Sequence, residues 1–243
     1  MTARLVEIME SIQGEGLLVG SRNIFMRFCG CNLHCSYCDT PTSREMVPYC
    51  QIIKTPGTSE LCERLPNPLS MSQVLEAVSH YRARWISLTG GEPLLWADLI
   101  AALGSRIQPL GYQFLLETNG TLCEELQKCL PYIDLISMDY KLSAATGEDN
   151  QLRHYQFLTL AAHKPVYVKV VIDAQVERDE IQTAVRTIVA VRPDIPLVLQ
   201  PVTPHGEAAA PDMEMLLDLQ KMCLQDLKDV RIIPQIHKFM GLI

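Results

Sequence analysis

Three cysteines crowd into one short stretch of this chain: Cys31, Cys35 and Cys38, spaced C-x3-C-x2-C within GCNLHCSYCDT. Thiolates hold iron–sulfur clusters, and three of them on a compact loop can ligate three irons of a four-iron cube, leaving the fourth iron open to a small molecule. Two other metal chemistries use the same residues less well. A structural zinc completed by Cys29 would ordinarily pair two knuckles across a longer loop, and no matching second knuckle follows. A simple electron-transfer cluster would ordinarily take a fourth cysteine. The chain has 9 cysteines, an odd number that suits a metal or cluster site better than a disulfide framework. Cys29, Cys50, Cys62, Cys123, Cys129 and Cys223 are read as core or loop residues, because cysteine is commonly a small buried hydrophobe.

A cluster loop needs a scaffold. Runs rich in β-branched and aromatic residues predict strands at Asn23 to Phe28, Trp85 to Leu88, Gln113 to Glu117, Leu135 to Met138, Val166 to Ile172, Pro196 to Gln200 and Val230 to Ile233. Helix-length segments lie between most of them. Helical spacing is clear in Ser72 to Tyr81, with Ser72 as the cap, in Ala97 to Ile107 and in Pro211 to Leu227. This alternation predicts βα units, a parallel sheet and an α/β fold. The segment 41–69 breaks the rhythm with five prolines and reads as an irregular excursion within one domain spanning 1–243. Polar or glycine-rich stretches follow nearly every predicted strand: GCNLHCSYCDT, TGGEP, ETNGT, MDYK, QPVTP and PQIHK. Ligands bind at that edge of parallel sheets, so the scattered motifs are expected to form one site.

Composition narrows the function classes. With 48% hydrophobic and 20% charged residues the chain can bury a full core. A net charge of −7 without a basic run argues against nucleic acid. No apolar stretch suits a membrane span or an export signal, so a cytoplasmic protein is expected.

The cysteine loop, with Tyr37 before its last cysteine, and TGGEP at Thr89 to Pro93 resemble the signature motifs of radical S-adenosylmethionine enzymes. QGEG at Gln13 to Gly16 and PQIHK at Pro234 to Lys238 are similar to the 7-carboxy-7-deazaguanine synthase family within that group. The resemblance implies a partial (β/α) TIM-like barrel with modified and incomplete helices. It implies a 4Fe-4S cluster on Cys31, Cys35 and Cys38, S-adenosylmethionine on the open iron, and Mg2+ on Thr40. The implied reaction converts 6-carboxy-5,6,7,8-tetrahydropterin to 7-carboxy-7-deazaguanine with loss of ammonia, as part of queuosine biosynthesis. An electron donor such as flavodoxin and a homodimer are implied as well.

Residue by residue, the resemblance assigns cofactor contacts to Tyr37, Cys38 and Asp39, and to Gly90, Gly91 and Glu92, where glycines let the backbone approach closely. It adds Glu117, Thr118 and Asn119, with Asn119-Gly120 also readable as a plain turn. Gln200, Pro201, Val202 and Thr203 match the segment near the adenosyl group. Family members carry Ser-Pro-Lys where this chain reads Ser137-Met138-Asp139-Tyr140-Lys141, so Ser137, Asp139 and Lys141 are the matching candidates. Substrate contacts fall on Ile12, Gln13, Gly14, Glu15, Thr89, Gln235 and His237, with Glu15 accepting from the pterin's amino and ring N–H groups. Arg27 supplies a bidentate cation for the substrate carboxylate. The alternatives are a glycyl-radical enzyme activase acting on a protein and, outside enzymes, an iron–sulfur redox or metal-binding module.

Overall fold

The computed structural model describes residues 1–53, 63–204 and 208–242. In chain order its strands are β1 (Thr2–Ala3), β2 (Leu5–Ile12), β3 (Arg22–Phe28), β4 (Tyr49–Ile53), β5 (Glu63–Pro66), β6 (Leu69–Ser70), β7 (Trp85–Gly90), β8 (Gln113–Thr118), β9 (Leu135–Asp139), β10 (Val166–Ile172), β11 (Leu197–Pro201) and β12 (Val230–Ile232). The helices are α1 (Met71–Ser79), α2 (Ala97–Ile107), α3 (Cys123–Cys129), α4 (Ser143–Thr146), α5 (Gln151–Ala161), α6 (Arg178–Val191), α7 (Met213–Cys223) and α8 (Ile236–Phe239).

Ten strands form one sheet in the order β12-β11-β10-β9-β8-β7-β3-β2-β4-β5, and β1 pairs with β6 separately. Every neighbouring pair from β12 to β3 is parallel. Parallel neighbours require crossovers, and from β7 to β12 each crossover carries at least one helix that covers the sheet. On α2 the buried residues Leu99, Ile100, Leu103 and Ile107 recur at helical spacing, and Ile181, Val185 and Ile188 do so on α6. The two edge strands of the large sheet, β12 and β5, do not pair with one another among the described residues, so the barrel is partial rather than closed. No described helix is long and apolar enough to cross a membrane.

Three expectations change. The excursion expected to be irregular holds β4 and β5, which pair antiparallel, while β4 runs parallel to β2 and extends the sheet. Cys50 and Ile52 point inward from β4 between exposed Tyr49 and Gln51, a period of two that five nearby prolines obscured; Cys62 lies outside the described residues. The cap of α1 is Ser70, not Ser72: Ser70 has extended backbone and exchanges hydrogen bonds with Gln73, forming a capping box. The strand β2 was not anticipated, because Glu7, Glu10 and Ser11 interrupt its apolar pattern. Glu10 is nonetheless buried, its carboxylate accepting from the Arg82 and Ala83 N–H groups.

Candidate active site

A cavity of about 750 Å³ lies at the C-terminal ends of the parallel strands. Its wall includes every site residue expected from sequence except Glu92 and Pro201. Cys31, Cys35 and Cys38 are free, half-buried thiols on its rim. Burial raises the Cys31 and Cys35 thiols above their ordinary range, and the three groups feel one another's charge. Binding a metal would deprotonate them and offset that mutual repulsion. Cys29, by contrast, is fully buried and off the cavity wall, which separates it from the triad. Tyr37, Val171 and Val202 make a small apolar cluster with Cys35 packed against it, so one flank of the triad is shielded from water.

Two loops lock this rim. Gly91 N donates to Phe28 O at 3.1 Å and Glu92 N to Gly30 O at 2.7 Å, docking TGGEP on the chain entering the cysteine loop. Any side chain would break that contact: a Cβ on Gly91 would sit 1.9 Å from Gly30 O, and Gly90 has φ +124° with Phe28 O 2.3 Å from its Cβ position. Glu92 lies beneath the wall with no solvent exposure. Its carboxylate accepts from Leu94 N (3.0 Å), Thr118 Oγ1 (2.8 Å) and Asn119 N (2.8 Å), tying TGGEP to ETNGT. Burial pushes its pKa up, those bonds pull it back, and it settles at about 7. Asn119 lines the cavity while its amide is engaged by Asn32 of the cysteine loop and by Thr121. Gly120 beside it has φ +69°, so the Asn-Gly turn is real.

On the opposite side the QGEG segment meets the barrel floor and the end of the chain. Gln13 is a buried strut: its amide donates to Glu117 Oε1 at 2.7 Å and accepts from the Glu15 N–H at 3.0 Å. Burial and the nearby Glu15 raise the pKa of Glu117. Glu15 accepts hydrogen bonds from Lys169 Nζ and from Gln235 Nε2 at 2.8 Å. The same Gln235 amide donates to Asp39 Oδ2 at 3.0 Å. Burial alone would raise the Glu15 pKa, but the Lys169 charge and these hydrogen bonds bring it down to about 2. Lys169 also lies 3.4 Å from Asp139, which pairs with Lys141 at 2.9 Å. The ammonium of Lys141 sits 5.2 Å from the centre of the Tyr37 ring. Gly14 packs so tightly under His237 that a Cβ would lie 2.2 Å from Nδ1. Glu15, Asp39 and His237 place ligand-type atoms within 4.8 Å of one another. Lys169, Gln235 and Lys238 already serve the two carboxylates, so the trio is a charge-balanced closure.

Arg27 points into the cavity from β3 and holds Glu7 Oε1 through its Nε at 2.7 Å. Its two terminal nitrogens make no hydrogen bond among the described residues, which leaves a fork for a carboxylate. Thr40 lines the wall beside Asp39, with its Oγ1 3.3 Å from Ser43 Oγ. The residues not anticipated are Lys169 and Glu7. A signal for Lys169 existed: VYVKVVI is buried along its whole length, and a lysine in such a strand must find a counter-charge. Glu7 carried no comparable signal.

The implied cofactor fits what these atoms lack. Tyr37 OH, Asp139 Oδ1 and Gln200 Oε1 are buried without hydrogen-bond partners, and all three residues line the cavity. Each such group costs about 1–3 kcal/mol until satisfied. A ligand with an ammonium and hydroxyl groups, set beside three thiols, would satisfy them.

Comparison with known proteins agrees with this geometry. Residues 26–172 match the Radical SAM superfamily. The chain is 39% identical to a 7-carboxy-7-deazaguanine synthase of Geobacter sulfurreducens, covering 98% of this chain and 97% of the relative. It is 35% identical to one from Archaeoglobus fulgidus, covering 99% of each. The crystal structure of QueE from Escherichia coli shares the fold with a TM-score of 0.69 at 21% identity, over 98% of this chain and 95% of that one.

Proposed function

The chain belongs to the 7-carboxy-7-deazaguanine synthase family of the radical SAM superfamily, and from that membership we propose that it turns 6-carboxy-5,6,7,8-tetrahydropterin into 7-carboxy-7-deazaguanine with loss of ammonia. This is a carbon–nitrogen lyase step in 7-deazapurine biosynthesis, feeding queuosine-type nucleosides. One observation carries the reading. A single cavity joins the thiol triad, a carboxylate kept ionised at Glu15 and a forked cation at Arg27. Neither the activase nor the redox module accounts for the last two.

Cys31, Cys35 and Cys38 would hold a 4Fe-4S cluster, and Tyr37, Gly91, Asp139, Lys141 and Gln200, which line the same cavity, would hold S-adenosylmethionine. When bound, cluster and cofactor would supply radical chemistry for hydrogen-atom abstraction. The protein's own part is placement. Glu15 accepts from the amino and ring N–H edge of the pterin, Arg27 pairs with its carboxylate, and the apolar flank at Tyr37, Val171 and Val202 keeps water from that side of the thiol triad. Thr40 offers a hydroxyl to a magnesium ion that keeps much of its hydration. In this reading the enzyme works as a single-domain homodimer in the cytoplasm, reduced by a flavodoxin-type donor.

The test is turnover. Anaerobic, cluster-loaded and reduced protein given the carboxypterin, S-adenosylmethionine and magnesium is expected to release the deazapurine and ammonia. Absence of product from protein with intact cluster absorbance would overturn the assignment. Arg27→Ala is expected to raise the substrate KM by about 30-fold or more, the loss of a buried charge-assisted pair, with little change in cofactor affinity. Equal loss of both would contradict the role given to Arg27.

A further inference from the structure

Lys169 sits inside β10, only 8% exposed, with its ammonium held between Glu15 on the QGEG segment and Asp139 at the end of β9. A lysine in a strand buried along its length is costly unless paired. Here it is paired to Glu15, the carboxylate to which the proposed function assigns the substrate's N–H edge. Glu15 Oε2 receives Lys169 and Oε1 receives Gln235, one donor on each oxygen. An ionised carboxylate has roughly four lone-pair sites, so one on each oxygen is left for a ligand. Both oxygens therefore remain acceptors, side by side, each oriented by its own donor.

We propose that Lys169 is a specificity-determining positioning residue: it fixes the Glu15 carboxylate as a paired acceptor, so that the site selects ligands presenting two adjacent N–H donors, as a 2-amino-4-oxopyrimidine ring does. The inference rests on the pterin reading above and assigns the selection to a residue that need not touch the substrate. Asp139 keeps Lys141 when Lys169 is removed, so the cofactor side retains a cation. Glu15 keeps no lysine in that case: its other hydrogen-bond partner is the neutral amide of Gln235, with the His237 ring close by.

The experiment is a double-mutant cycle on cluster-loaded, unreduced protein carrying S-adenosylmethionine. The probe is pterin-6-carboxylic acid, followed by its own fluorescence, against the 2-oxo analogue that lacks the amino group. Lys169→Met is expected to weaken probe binding by about 30-fold or more while affecting the analogue far less, so that discrimination collapses. Lys169→Arg is expected to recover binding to within about tenfold of the wild type, because it restores a cation at the same place. In a Glu15→Gln background, Lys169→Met is expected to cost less than about threefold, since the charge it served is gone. A cost in that background equal to the cost in the wild type, or discrimination unchanged in Lys169→Met, overturns the proposal. Should Lys169→Met fail to fold, the Glu15→Gln/Lys169→Met pair and Lys169→Arg decide it. If the wild type does not bind the probe, the pterin reading fails and the inference with it; if it binds and the cycle is additive, only the inference fails.

Discussion

Glu15 keeps its charge where burial alone would remove it. Its pKa falls from the ordinary 4.5 to about 2, so in the folded protein it holds its proton less tightly than in the unfolded chain. The unfolded chain thus binds more protons between those values, and the stabilisation is complete above pH 4.5 and lost as pH falls towards 2. Urea unfolding from neutral pH down to pH 2 is expected to show a shallower acid limb in Glu15→Gln than in the wild type; identical limbs would contradict the pairing. Lys169→Met is expected to make that limb shallower as well, because the largest influence that lowers the Glu15 pKa is then removed. Cys35 is a different case. It stands on a connection between elements, so Cys35→Ala is expected to abolish cluster absorbance and to lower stability by no more than about 1 kcal/mol. Global unfolding of that variant would mean the loop helps hold the fold.

At the scale of elements, the ends of β7 and β8 are fastened by one carboxylate. Glu92 receives three donors from two segments, and Gln in its place would turn an N–H towards the Asn119 N–H. Glu92→Gln is therefore expected to cost about 1–3 kcal/mol, measured by thermal unfolding of the metal-free protein, and to speed hydrogen exchange at Gly91 and Asn119 together. Exchange at only one loop would show that the carboxylate does not couple them. Its pKa of about 7 lies above the ordinary 4.5. Stability of the wild type accordingly falls as pH rises from 4.5 through 7, because burial disfavours the charged form that then appears. The TGGEP motif was legible as a loop with glycines for close approach. That its glutamate faces the next loop was not, because β7 and β8 pair residues about 28 positions apart.

For the molecule as a whole, closure joins the segment after β2 to the segment after β12. Ile236 N donates to Gly14 O at 2.9 Å, and Gln235 bridges Glu15 and Asp39. Gly14→Ala would drive a methyl group into His237. It is expected to cost about 1–3 kcal/mol as overpacking, to speed exchange at 235–238 and to raise the substrate KM. Unchanged exchange there would mean that the end of the chain does not depend on this contact. The sequence by itself determined the thiol chemistry, the alternation of strands and helices, and the edge of the sheet where polar loops collect. These are written in local spacing, which a period of two or 3.6 residues preserves. Only the tertiary structure decided which polar atoms face the cavity and which brace it: Gln13 and Glu92 turned to struts, Lys169 emerged from an apolar strand, and β2 and β4 joined the sheet. Those outcomes depend on partners 154 residues apart for Lys169 and Glu15, and 220 apart for Gln235 and Glu15. No local pattern encodes such a pairing, because strand register and chain closure bring the charges together only after the core has formed.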